Sequence, residues 1–504
     1  MLPRPYTCWT EELIISISNT EKMLKKYLVF FYLLTFIVGK TQAQDSLPHN
    51  QTYSLEQCIA IAIKNNTDVR RSEYLAASSK VSLDQAKGSA YPTLNAYLGH
   101  TFYNGRSINT YTNSYVNQSY NSGNYSINSS FTIWNGSSIQ NYIKKCALDY
   151  KASELEVQQA KDNLTFQIIL NYLSVLAANE QLTIAKSQAD ATYEKLKTIQ
   201  IKYDNGVVGM GDLSDIKGQF SANELMLIQQ KNALENSKLL LAQSMNVAYD
   251  STIQLQAIGE MSTPKEYPSS VDDIYASAAE KLAVVRAADT RLASAFKNIQ
   301  YIKSQRMPTL QLSGGANTNY SSAASTSTIA STTYATDGSY VLDNNGKQLP
   351  VYAPQNMYAS HNISYGSQWK NNVNTSFTLG LNIPIFNGFL IKNKLKQAKL
   401  DQEQADFTSK TLRAQLHQAV EKDYFNMKFS FATFKKLTEQ VEAYKTSLYA
   451  ASVKFDNGVI TTVDYIITKN NMDQSVMNLV AAKYDYILRT KILDYYLGGL
   501  QSIE

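Results

Sequence analysis

The side chains able to do chemistry are few and dispersed. Four histidines, His49, His100, His361 and His417, fall in a tail, a strand, a loop and a helix. None has the spacing of converging metal ligands, and no nucleophile motif accompanies them. Cys58 and Cys146 cannot build the disulfide framework of a small secreted scaffold, so both read as small apolar residues. The string Gly206-Val207-Val208-Gly209-Met210-Gly211 is similar to a phosphate-cradling loop, yet it follows a helix and lacks the downstream Lys-Ser/Thr. No catalytic group, cofactor site or metal site is expected, so an enzyme is not indicated. The net charge of +5 mixes Lys and Arg with Asp and Glu, which does not imply nucleic acid.

The informative residues are two glycine turns. KYDNGVVGMGDLSDIK (Lys202 to Lys217) matches KFDNGVITTVDYIITK (Lys454 to Lys469) at an offset of 252 residues. Gly206 and Gly458 permit the positive φ that ends a long helix, and Asp212 and Asp464 sit where an N-cap or first-turn carboxylate starts the next.

The turns belong to a chain-wide repeat. FTIWNG (Phe131 to Gly136) meets IPIFNG (Ile383 to Gly388) at the same offset, so the segment between has identical length in both halves. Upstream, Leu55–Arg70 aligns with Val271–Arg286, and Tyr91–Leu94 with Met307–Leu310, at an offset of 216. The second half therefore carries 36 extra residues between Leu310 and Ile383. The Ser-, Thr-, Ala-, Tyr- and Asn-rich stretch Ser321–Ser367 is expected to be a long polar loop. Two units are too few for a solenoid.

These turns must be carried by long elements. Ser137–Tyr203 has no Gly or Pro, and apolar residues recur at three- and four-residue steps, such as Leu164, Ile168, Tyr172, Val175 and Ala178. It predicts one amphipathic helix about 100 Å long at ~1.5 Å per residue. Phe389–Phe455 predicts another. Shorter helices are expected at Leu55–Ser89, Val271–Arg306, Leu213–Asn246 and Val463–Leu497. Alternation in Val373, Thr375, Phe377, Leu379, Leu381, Ile383 and Ile385 predicts a strand with one apolar face. Weaker copies start at Leu94, Tyr125 and Leu310, each about the 9 to 11 residues that cross a bilayer as a tilted strand.

The N-terminal part reads as an export signal. A basic stretch at Lys25-Lys26, an apolar run Tyr27–Val38 and a cut at Ala43/Gln44 form a signal peptide, with translation starting at Met23 as an alternative. Gln44 at the cut excludes a lipid-anchored cysteine there. The division is then 1–43 extension and signal peptide, 44–260 first repeat, and 261–504 second repeat with the polar insertion at 321–367. No later segment is apolar enough to cross a bilayer as a helix, so a membrane role falls to strands.

Helix, strand hairpin, long helix, glycine turn and helix, written twice behind a signal peptide, resemble the TolC family of outer-membrane channel proteins over essentially the whole mature chain. Its turns read aromatic-x-x-Gly then Asp, matched by Tyr203 to Asp212 and Phe455 to Asp464. The resemblance implies a mainly α fold with a transmembrane β-barrel, in which a homotrimer pools four strands per subunit into twelve above a coiled-coil tunnel. It implies an outer-membrane location, with lipid around the barrel and the tunnel in the periplasm. By the same resemblance, Asn205, Gly206, Val207, Asn457, Gly458 and Val459 dock a periplasmic adaptor. The adaptor is joined to an inner-membrane pump of RND, ABC or MFS type, for efflux or type I secretion. A constriction is expected at Asp212, Ile460, Asp464 and Ile467, where Ile460 stands at the position of a gating Arg and Ile467 at that of a second acidic residue. The competing readings are a self-contained porin, which needs more strands, a secreted hydrolase, which needs catalytic groups, and a periplasmic coiled-coil adaptor or structural protein without a pore.

Overall fold

The computed structural model describes residues 52–109, 113–117, 119–257 and 266–498. The signal peptide, its cut, the Met23 start and the 260/261 boundary lie outside the described residues. In the first half, β1 (Thr52–Tyr53), α1 (Leu55–Asn65) and α2 (Thr67–Gly88) precede β2 (Thr93–Tyr103), β3 (Arg106–Asn109), β4 (Ser114–Asn117) and β5 (Tyr120–Trp134). Then come α3 (Ser138–Asp204), α4 (Met210–Ser244) and β6 (Gln254–Leu255). The second half runs α5 (Val271–Lys281), α6 (Ala283–Ser304), β7 (Thr309–Ser321), β8 (Ser325–Leu342), β9 (Gln348–Asn362), α7 (Tyr365–Asn371), β10 (Asn374–Asn382), α8 (Leu390–Asp456) and α9 (Thr462–Tyr496).

The repeat survives residue for residue in the long helices and those that follow the turns. α3 and α8 have 67 residues each, and α4 and α9 have 35 each. Both long helices leave the strands through an Asn-Gly-x joint with two consecutive left-handed residues, Gly136 and Ser137 (φ 63° and 65°) and Gly388 and Phe389 (φ 61° and 62°). At Gly136 a Cβ would lie 2.3 Å from Met307 Cβ, so glycine is required by space as well as by φ.

Three expectations are corrected. The single helices expected at Leu55–Ser89 and Val271–Arg306 are each broken, at Asn66 and Leu282, where ψ turns to 130° and 132°. These residues occupy equivalent repeat positions, and each still donates its N–H back into the first helix, to Ala62 and Ala278. The expected polar loop at 321–367 is an ordered antiparallel hairpin, β8 with β9, followed by α7; its Thr and Tyr content favours extended pairing despite its polarity. The strand expected to reach Ile385 ends at Asn382, because Pro384 has no N–H for the ladder.

The chain divides into two compact units. Among the described residues, the first holds those through Asn66, Leu164–Ser262 and Lys435–Tyr484, and includes both glycine turns. In it β1 pairs with β6 in parallel, clamped by the buried Tyr172, whose hydroxyl proton is shared between the carbonyls of Gln256 (2.6 Å) and Tyr53 (3.1 Å).

The second unit holds the described residues of Thr67–Asn163, Thr263–Phe434 and the chain from Asp485. Its helical core gathers Ile274, Leu282, Val285, Val420, Tyr486 and Leu493. Its four-stranded sheet has the order β10-β7-β5-β2, antiparallel throughout, leaving β10 and β2 as edges. Register sorts the side chains into two faces. One carries Asn95, Asn128, Ser313 and Ser376; the other carries Leu98, Ile127, Phe131, Leu312, Phe377 and Leu381. The apolar face is open, with Phe377 85% exposed. Such a face in water is unfavourable and in lipid is not. Among the described residues no helix is long and apolar enough to cross a membrane.

Candidate functional site

Each glycine turn closes its helix by the same hydrogen-bond pattern. The N–H of Val207 donates to the Lys202 carbonyl (2.8 Å) and that of Gly206 to the Tyr203 carbonyl (2.8 Å). Val459 and Gly458 donate to Lys454 (2.8 Å) and Phe455 (3.1 Å) in the same way. This Schellman pattern needs a left-handed residue after the cap, supplied by Gly206 (φ 72°) and Gly458 (φ 71°). Asn205, Val207, Asn457 and Val459 are all exposed around them.

The carboxylates start the returning helices. Gly209 N–H donates to Asp212 Oδ2 (3.2 Å). Thr461 and Asp464 form a reciprocal capping box, with Thr461 N–H donating to Asp464 Oδ2 (3.3 Å) and Asp464 N–H to Thr461 Oγ1 (3.1 Å). Asp212 also crosses to the other turn, accepting from the Thr462 hydroxyl at 2.5 Å.

The two turns are therefore one cluster. Ile199, Leu213, Ile216 and Phe455 form a buried core beneath them, with Ile460 packed against it. Ile467 instead is 54% exposed, and Asp464 is exposed beside it. Lys195 on α3 reaches Asp456 at the end of α8, and its Nζ lies 4.7 Å from the Phe455 ring centroid and 5.1 Å from that of Tyr465. Those rings stack at 4.9 Å. Burial, with Asp456 and Asp473 nearby, pushes the Tyr465 phenol above its ordinary value. One step further, Gln219 and Asn470 exchange amide hydrogen bonds of 2.8 and 3.2 Å. The buried Lys469 pairs with Asp473, whose carboxyl burial pushes up despite that partner.

The sequence signalled Gly206, Gly458, Asp212 and Asp464 through the repeat. It gave no signal for Lys195, whose repeat-equivalent position is Ser447, nor for the Asp212–Thr462 contact. Both depend on which helices become neighbours. Among the described residues no cluster of His, Cys, Asp and Glu could hold a metal ion.

The model of the outer membrane efflux protein family matches residues 58–247 and 274–499, one segment in each half. The chain belongs to that family. It is 22% identical to outer membrane protein TolC of Escherichia coli (strain K12), over 90% of this chain and 84% of that protein. It is 21% identical to TolC of Salmonella enteritidis, over 90% and 83%. Among solved structures, VceC of Vibrio cholerae superposes with a TM-score of 0.68 at 13% identity, covering 88% of this chain and 96% of that one. The open state of the MtrE channel of Neisseria gonorrhoeae gives 0.64 at 15% identity, covering 92% and 96%. The efflux family protein is thus an outer-membrane channel for tripartite efflux, of a channel family and not an enzyme family. The reading as an adaptor or poreless structural protein is set aside.

Proposed function

We propose that three copies of this chain form a passive exit duct, each giving four strands to one twelve-stranded barrel and its long helices to a periplasmic tunnel. The carrying observation is the sheet: four strands with an open apolar face and two free edges cannot stand alone in lipid, where every backbone polar group needs a partner. Strand directions alternate across β10-β7-β5-β2, so β10 of one copy meets β2 of the next antiparallel, and three copies close the ring without an edge. The subunit itself performs no catalysis; energy for transport comes from an inner-membrane pump.

The exposed turns Asn205-Gly206-Val207 and Asn457-Gly458-Val459 dock the periplasmic adaptor. The constriction is formed by Asp464 and Ile467, the exposed members of the expected set, while Asp212 and Ile460 act from within the cluster that holds the turns closed. The test is the oligomeric state and single-channel conductance of the detergent-purified protein in planar bilayers. A heat-modifiable trimer with a conducting pore is expected, and a monomer that never conducts would overturn the reading.

A further inference from the structure

The longer connection between β7 and β10 makes more than a hairpin. Its last element, α7, turns back onto the apolar face of the sheet, at the end remote from the long helices. The Thr318 hydroxyl donates to the Trp369 carbonyl (3.0 Å), the Tyr125 and Trp369 rings lie 4.7 Å apart, and those of Tyr320 and Tyr365 lie 4.8 Å apart. Tyr125, Thr318 and Tyr320 project on the same face as Ile127, Phe131 and Leu312. The pin is Gln368, 1% exposed. Its Oε1 accepts from Ser321 N–H (2.9 Å), and its Nε2 donates to the carbonyls of Ser321 (2.9 Å) and Ile363 (2.8 Å). A buried amide bonded this fully holds a short helix that could not persist alone.

What α7 leaves outside is amphipathic: Tyr365 is 48% exposed, Trp369 is 40% exposed, and Lys370 is exposed beside them. Its height on the sheet is informative. From the Tyr320 row, which also holds His100, down to the Leu310–Leu381 row the face is mainly apolar, with Ser129, Thr318 and Thr375 the polar members, and Trp134, paired with Leu310, marks the other margin. Leu310 to Tyr320 at about 3.4 Å per residue, tilted by about 40°, rises roughly 26 Å, the height of the apolar band of a membrane barrel. Indole and phenol rings favour that boundary, where one end is apolar and the other wet.

We infer that α7 is an interfacial anchor seated among the headgroups of the outer leaflet, with Trp369 and Tyr365 at the acyl boundary and Lys370 on the lipid phosphates, a role that rests on the barrel reading above. It fixes the barrel's height in the bilayer from one point in each subunit.

The experiment is depth-dependent quenching of Trp369 fluorescence in the full chain. The chain has three tryptophans, and Trp9→Phe with Trp134→Phe leaves Trp369 alone. The protein is placed in vesicles of phosphatidylcholine and phosphatidylglycerol carrying nitroxide near the headgroup or near the chain end. Loss of Trp369 emission is expected to be greater with the shallow nitroxide and small with aqueous acrylamide. Gln368→Ala should shift the sensitivity from lipid to acrylamide while the oligomer persists. Quenching by acrylamide alone, or by neither agent as for a ring buried against another subunit, overturns the proposal. A reference chain with Leu379→Trp as its sole tryptophan separates the two readings: quenched by deep nitroxide, it upholds the barrel even if α7 fails; unquenched, it removes the barrel as well.

Discussion

Replacing Lys195 by Met should loosen the joined turns by a calculable amount. Methionine keeps most of the apolar stem, so packing is little changed and the cation is what goes. The ammonium faces two stacked rings at 4.7 and 5.1 Å with its side chain only 15% exposed, a cation–π setting worth about 1 to 1.5 kcal/mol. Asp456 is 52% exposed, so solvent screening holds the ion pair to about 0.5 kcal/mol or less. The total, about 1 to 2 kcal/mol, favours the closed cluster. Its loss should raise the open-to-closed ratio roughly 5- to 30-fold. Single-channel recording of open occupancy reads this directly. Asp456→Asn should give about a twofold effect, and adding it to Lys195→Met should change nothing further, because the pair is then already broken. A Lys195→Met channel that assembles and conducts with unchanged open occupancy would refute the reasoning, since no partner of Lys195 would then matter to closure.

The other expectations concern the supports of this site. Gly458→Ala meets no atom within 4 Å, so its cost is the backbone conformation alone, about 1 to 2 kcal/mol, and should appear as faster amide exchange at Val459 and weaker adaptor binding. Tyr172→Phe removes the donor shared by the Tyr53 and Gln256 carbonyls; a loss of about 1 to 3 kcal/mol should show as amide exchange in β1 and β6 ahead of the rest of the first unit. The Asp473 carboxyl titrates above its ordinary 3.8, so the folded state binds a proton that the unfolded state has released. Its contribution is therefore fully present below that value and is lost as pH rises through the elevated pKa. Asp473→Asn should flatten the pH dependence of thermal melting in that window, and an unchanged profile would assign the dependence elsewhere.

The long helices were legible because nothing between Ser137 and Tyr203 interrupts them, and their lengths because the repeat counted them twice. The breaks at Asn66 and Leu282 were not, since neither residue is a strong breaker and each still donates a helical hydrogen bond. The strands showed where one face is apolar and the other polar. β8 and β9 were hidden because exposed hydrophobic residues such as Tyr334 and Tyr358 are mixed with Ser and Thr, leaving no clean period to read. At the turns, Gly206 and Gly458 announced themselves through geometry that only glycine takes easily. Lys195 did not, because its meaning lies in Phe455 and Tyr465, more than 250 residues away in the chain.

The equal lengths of α3 and α8 act as a pair of matched rulers. One residue added to either would advance its turn by about 1.5 Å and rotate it by about 100°, pulling Lys195 from the rings and Asp212 from Thr462 together. A 36-residue difference between the halves is absorbed by a hairpin within the second unit, yet a single-residue difference in the helices would not be. Insertions used to tag or retarget this channel belong at the β8–β9 tip, and any alteration of helix length must be made in both halves at once.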